Sequence, residues 1–108
     1  MQIPKILGQQ SPGATTLTLL YRVPMVVNTT ANTLIVCNRS GSSTSFRVSV
    51  APGGEGDNVK HYLFYDAALA ATETKSFTLD LKLSSLDEVR VYASAAALTF
   101  ILFGTESL

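Results

Sequence analysis

Tryptophan is absent from this 108-residue chain, cysteine and histidine occur once each, and only 15% of the residues are charged. Each shortage excludes something. The one cysteine, Cys37, cannot close an internal disulfide, so the fold does not depend on an oxidising compartment. One cysteine and one histidine cannot build a closed zinc site without carboxylates, and no ligand spacing points to one. Eight basic and eight acidic side chains cancel and form no run of one sign, whereas nucleic-acid binding shows as a basic patch that replaces phosphate counterions. No segment reaches the roughly 18 uninterrupted apolar residues of a membrane helix. The start, Met1-Gln2-Ile3-Pro4-Lys5-Ile6-Leu7-Gly8, lacks the apolar core and cleavage site of a signal peptide, so export by that route is not expected. No nucleic acid, membrane, small-molecule substrate, cofactor or metal is therefore expected as a partner.

What the chain does have is 46% hydrophobic residues in the length of one domain. From Thr15 onward they fall into short runs of period two separated by turn-formers, and no helical pattern persists over ten residues. Thr15 to Val23 puts Leu17, Leu19, Tyr21 and Val23 on one face and stops at Pro24, which cannot donate to a ladder. Met25 to Val27 and Ala31 to Asn38 follow, with Asn28-Thr29-Thr30 as a turn between them. Thr44 to Ala51 points Phe46, Val48 and Val50 inward and Ser45, Arg47 and Ser49 outward. The glycine-rich stretch Pro52 to Asn58 crosses to a strand over Val59 to Asp66, and Ala67 to Thr74 reads as an irregular link or one turn of helix. Ser76 to Leu83, Glu88 to Ser94 and Leu98 to Phe103 complete the set. This pattern predicts an all-β fold, an antiparallel β-sandwich of seven or eight short strands, with a small β-barrel as the alternative closure. Residues 1–13 carry Ile3, Ile6 and Leu7 without periodicity and read as an extended N-terminal arm to a domain over 14–108.

Reaction chemistry finds little to work with. A base needs a partner within about 3 Å of the reacting atoms. His61 is the one candidate, with Asp57 or Asp66 near it in sequence, and it reads as a structural histidine at a strand start. Cys37 lacks an adjacent histidine, the acidic residues form no calcium loop, and Gly53-Gly54-Glu55-Gly56 lacks the lysine and helix of a phosphate loop. No catalytic residue is assigned, and the protein is not expected to be an enzyme.

The excess is apolar. Leu34-Ile35-Val36-Cys37 is apolar in both phases, Tyr62 and Phe64 oppose Leu63 and Tyr65, and Ile101 and Phe103 oppose Leu98, Phe100 and Leu102. A strand with one face in water normally alternates, so these segments need cover on both sides. Arg22, Arg47 and Arg90 fall on outward phases, where their planar forks suit an interface. The candidate protein-interface set is Ile3, Ile6, Leu7, Arg22, Arg47, Tyr62, Phe64, Arg90, Tyr92, Ile101 and Phe103. Copies of the same chain are the first expected partner.

Leu20-Tyr21-Arg22-Val23-Pro24, Leu34-Ile35-Val36-Cys37-Asn38-Arg39, Phe46-Arg47-Val48-Ser49-Val50-Ala51-Pro52, Lys60-His61-Tyr62-Leu63-Phe64-Tyr65-Asp66, Val89-Arg90-Val91-Tyr92-Ala93-Ser94 and Phe100-Ile101-Leu102-Phe103-Gly104-Thr105-Glu106 occur in this order. The series resembles a group of small virion structural proteins of tailed bacteriophages, over nearly the whole chain, and departs from it at Met25-Val26-Val27, where the group tends to a small Ala-Gly-type turn. The resemblance implies a homo-oligomeric structural protein assembled in the host cytoplasm and located in the virion. A capsid decoration or cement protein, binding across major capsid protein subunits with its arm on a neighbour, is the first expectation. A neck or tail accessory ring is the second. A host-surface carbohydrate-binding module is a third, from another class, although no tryptophan offers an aromatic platform.

Overall fold

Period-two runs become strands almost everywhere in the computed structural model, which describes residues 2–108. The strands are β1 (Gln2–Gln10), β2 (Thr18–Arg22), β3 (Asn28–Asn38), β4 (Thr44–Ala51), β5 (Tyr62–Leu69), β6 (Thr74–Leu83), β7 (Glu88–Ala93) and β8 (Leu98–Ser107). Pairing is nested about the middle of the chain: β4 with β5, β3 with β6, β2 with β7 and β1 with β8, all antiparallel. This long hairpin is then rolled so that β3 also lies beside β8 and β4 beside β7. Two four-stranded sheets result, sheet A in the order β1-β8-β3-β6 and sheet B in the order β2-β7-β4-β5. Such nesting is the jelly-roll form of the β-sandwich. The sheets do not close on each other, so the barrel alternative is not adopted; β1, β6, β2 and β5 remain edges.

The core lies between the sheets. Phe46 is fully buried, with its ring centroid 5.7 Å from Phe64, 6.0 Å from Phe77 and 6.1 Å from Phe100. Leu34, Val36, Val48, Val91, Leu98 and Leu102 surround this cluster at zero exposure. Burying each Leu or Phe contributes about 1.5–3 kcal/mol, so these inward phases dominate the stability of the fold.

Several boundaries differ from the sequence expectation, each for a physical reason. Most of the expected arm over 1–13 is not set apart from the sandwich, because Gln2–Gln10 form the edge strand β1, paired with β8 from Gln2–Ser107 to Gln10–Phe100; Met1 lies outside the described residues. Leu7 is the extra residue of a bulge there and turns into the core, which breaks the period and hides the strand. Asn28-Thr29-Thr30 is the start of β3 and not a turn; the turn sits at Met25-Val26, where Val26 takes φ 57° and is 84% exposed. In β2 the register slips between Leu19 and Tyr21, so Leu20 and Tyr21 are both buried while Leu19 faces out. Ser49 keeps its expected outward phase, in one row with Arg90 and Tyr62, yet is buried there. Val59–His61 form a 3-10 turn before β5, and β5 runs on to Leu69, which shortens the expected link to a tight turn.

Candidate functional site

The outer face of sheet A answers which side of the last strand looks outward. Leu98, Phe100 and Leu102 are fully buried, and the opposite phase, Ile101 and Phe103, lies on the outside. Cross-strand register aligns this phase into rows: Thr99–Cys37–Thr74, Gln9–Ile101–Ile35–Ser76 and Ile6–Phe103–Thr33–Thr78. Ile6, Ile35, Ile101 and Phe103 thus form one apolar strip over three hydrogen-bonded strands, and none of the three rows carries a charge. Ile6 is 50% exposed and the other three are half-buried.

The ladder breaks on three strands around the Ile6–Phe103 row, within the strip on β1 and just past it on β3 and β6. On β1 the register slips between Ile6 and Gly8, on β3 between Ala31 and Thr33, and on β6 two residues, Leu79 and Asp80, face the single Asn32. Asp80 adopts φ 53°, a conformation that costs a non-glycine residue about 1–3 kcal/mol. Bulges bend a strand and re-aim its side chains. Beyond the line the outward rows become Pro4–Thr105–Thr30–Lys82 and Gln2–Ser107–Asn28, and the face changes from apolar to polar.

Sheet B presents a different outer face. A second two-residue bulge, Tyr65-Asp66 opposite Arg47, turns both residues outward. Arg47 Nε donates to Asp66 Oδ1 at 2.7 Å, and its guanidinium lies 4.1 Å from the Tyr65 ring centroid and 4.3 Å from that of Tyr92. Tyr62 meets Tyr65 edge-on at 5.1 Å. Along the same face Glu88 is held between two arginines: Arg22 donates to Oε2 at 2.6 and 2.8 Å, and Arg90 to Oε1 at 2.9 and 3.0 Å. Burial pushes the Glu88 carboxyl up, but the hydrogen bonds from the two arginines outweigh it and hold the group below its usual pKa. These arginines are already paired, so this face is rigid and its charges are largely spent.

A polar lock joins the two sheets where β1, β3 and β8 meet β2. The Tyr21 hydroxyl donates to Glu106 Oε2 at 2.6 Å and lies 2.9 Å from Thr29 Oγ1, and Lys5 Nζ donates to Glu106 Oε1 at 3.2 Å. Burial, then the hydrogen bond to Glu106, raises the Tyr21 pKa to about 12, and the same hydrogen bond lowers that of Glu106. A depressed carboxyl stabilises the fold above its ordinary value of 4.5 and loses that contribution as pH falls. Glu106→Gln is expected to destabilise the protein by about 2 kcal/mol at pH 7. The gap in melting temperature from the parent should narrow as pH drops below 4.5, because protonated Glu106 resembles the amide. A gap that stays constant from pH 7 to pH 3 would count against the lock.

The sequence-chosen interface residues fall on three different surfaces. Ile6, Ile101 and Phe103 come together on sheet A, while Arg22, Arg47, Tyr62, Arg90 and Tyr92 come together on sheet B, and Ile3 stands 40% exposed on the β1 edge. Leu7 and Phe64 leave the set, since Leu7 is buried and Phe64 packs against the core with its ring 4.7 Å from Phe77. Ile35 and Tyr65 belong to the two faces and were signalled only by sitting in two-faced segments. His61 is buried, with Nε2 3.2 Å from Glu55 Oε1. Among the described residues no group of three His, Cys, Asp or Glu side chains could hold a metal ion. Compared with protein-family models and with curated proteins, the chain matches none.

Proposed function

We propose that the protein is a non-enzymatic structural component of a tailed-bacteriophage virion, a decoration or cement protein that seats one outer sheet face on neighbouring head subunits. The reading rests above all on the uncharged strip of Ile6, Ile35, Ile101 and Phe103. A charge-free apolar strip on a chain this small is what a permanent neighbour would cover, and depletion of charge marks the centre of protein interfaces. The jelly-roll topology adds support by analogy, since the same architecture recurs in viral capsid domains. Paired arginines and tyrosines on sheet B supply a second, rigid face for a symmetry-related copy.

Phe103→Glu is the test. The side chain stands on the outside of sheet A, so the folded chain should lose no more than about 1 kcal/mol. Placing a carboxylate in an apolar contact should weaken association with purified particles by about 100-fold or more. Densitometry against the major capsid protein should then find hundreds of copies per virion. A count of about a dozen would move the protein to a neck or tail ring, and undiminished binding of the variant would sink the assignment of the strip.

A further inference from the structure

Beyond the line of bulges on sheet A, the outer face hollows into a cleft of about 300 Å³, the lower end of the range for ligand sites. Its lining draws on all four strands of the sheet. Three carboxamides, Gln2, Asn28 and Asn32, and three hydroxyls, Thr30, Thr105 and Ser107, supply most of it. The only charges are Asp80 and Lys82, and these neutralise each other, Lys82 Nζ donating to Asp80 Oδ1 at 2.9 Å. The six neutral side chains form no hydrogen bond of their own among the described residues.

We propose that this cleft binds a neutral saccharide. Charge decides first: one lysine and one aspartate leave the lining with no net charge to favour an anion or a cation, and an apolar ligand would face a wall of amides and hydroxyls. What remains is a neutral ligand rich in donors and acceptors. Each carboxamide offers both a donor and an acceptor, which matches adjacent hydroxyls on a sugar ring. Shape decides next. A peptide recognised through its backbone adds to a sheet edge, whereas this cleft lies across the face of the sheet. Asn32 enters the cleft because it is the bulged residue of β3, and Asp80 because of its left-handed backbone. The strained line across the sheet therefore builds the site. The inference stands apart from the virion reading, since it concerns the isolated chain.

The experiment titrates the isotope-labelled full chain with methyl glycosides of glucose, galactose, mannose and N-acetylglucosamine, each to about 50 mM, with amide resonances as the readout. At least one glycoside should give saturable shifts centred on residues 28–32, 80–82 and 105–107, with a Kd of roughly millimolar. Asn32→Ala, and separately the shape-conserving Thr105→Val, should each weaken it by about tenfold. Sulfate or phosphate at the same concentration should leave these amides unmoved. Absence of saturable shifts with all four glycosides, equal binding by both folded variants, or equal shifts with the anions would overturn the proposal.

Discussion

Replacing Gly104 by alanine should destabilise the protein by about 3 kcal/mol or more, a large part of the roughly 5–15 kcal/mol that holds such a domain together. Gly104 lies on the inward phase of β8, opposite Ala31 on one side and Lys5 on the other. A Cβ there would run into the Thr30 carbonyl oxygen, and would stand 2.7 Å from Leu7 Cδ1 and 3.0 Å from Ala31 Cα. Two of these three obstacles are backbone, so rotating a side chain cannot relieve the clash. The cause is the register: β3 and β1 both bulge beside this point of β8, and their backbones crowd inward where a normal ladder would leave room for a side chain. Gly41, with nothing within 4 Å of a built Cβ, is the control, and Gly41→Ala should change stability by no more than about 0.5 kcal/mol. Urea unfolding of both variants measures the difference. A Gly104→Ala protein with the parent's midpoint would show that the strands do not approach so closely.

The same crowding explains where the sequence could be read and where it could not. β4, β6 and β7 were legible because a single face is apolar in each, so period two settles both strand and direction. β8 was legible as a strand but not as to face, since Leu98, Phe100 and Leu102 are no more apolar than Ile101 and Phe103; partners far off in the chain, those on β3 being 60 to 70 residues away, choose between the phases. β1 was missed because its bulge puts Leu7 inward between Ile6 and Gly8 and destroys the alternation. Asn28-Thr29-Thr30 has turn composition, yet its middle residue is buried and satisfied by the hydroxyl of Tyr21. The polar cleft left no local signal at all. Its side chains come from residues 2 to 107 and are ordinary singly; only the register of four strands brings them together.

Deleting residues 1–10 should not leave an intact sandwich that has merely lost a clamp. β1 hydrogen bonds along β8 from Ser107 to Phe100, delivers Leu7 to the core and brings Lys5 to Glu106. Without it the edge of a ten-residue strand, apolar on both faces over Leu98 to Phe103, is open to solvent. Long apolar edges are templates for pairing with further chains, and β1 guards this one with Pro4, which has no N–H to offer, and with a bulge. Losing the buried Leu7 side chain alone costs about 2 kcal/mol or more, and the freed β8 edge adds its unpaired backbone groups. The truncated chain is therefore expected to melt at least about 10 °C below the full chain and to form concentration-dependent oligomers or strand-rich aggregates. Circular dichroism melts and light scattering over a protein dilution series measure both. A truncated chain that keeps the parent's melting temperature and oligomeric state would restore the arm reading, with residues 1–10 dispensable for the fold and free to engage a neighbour.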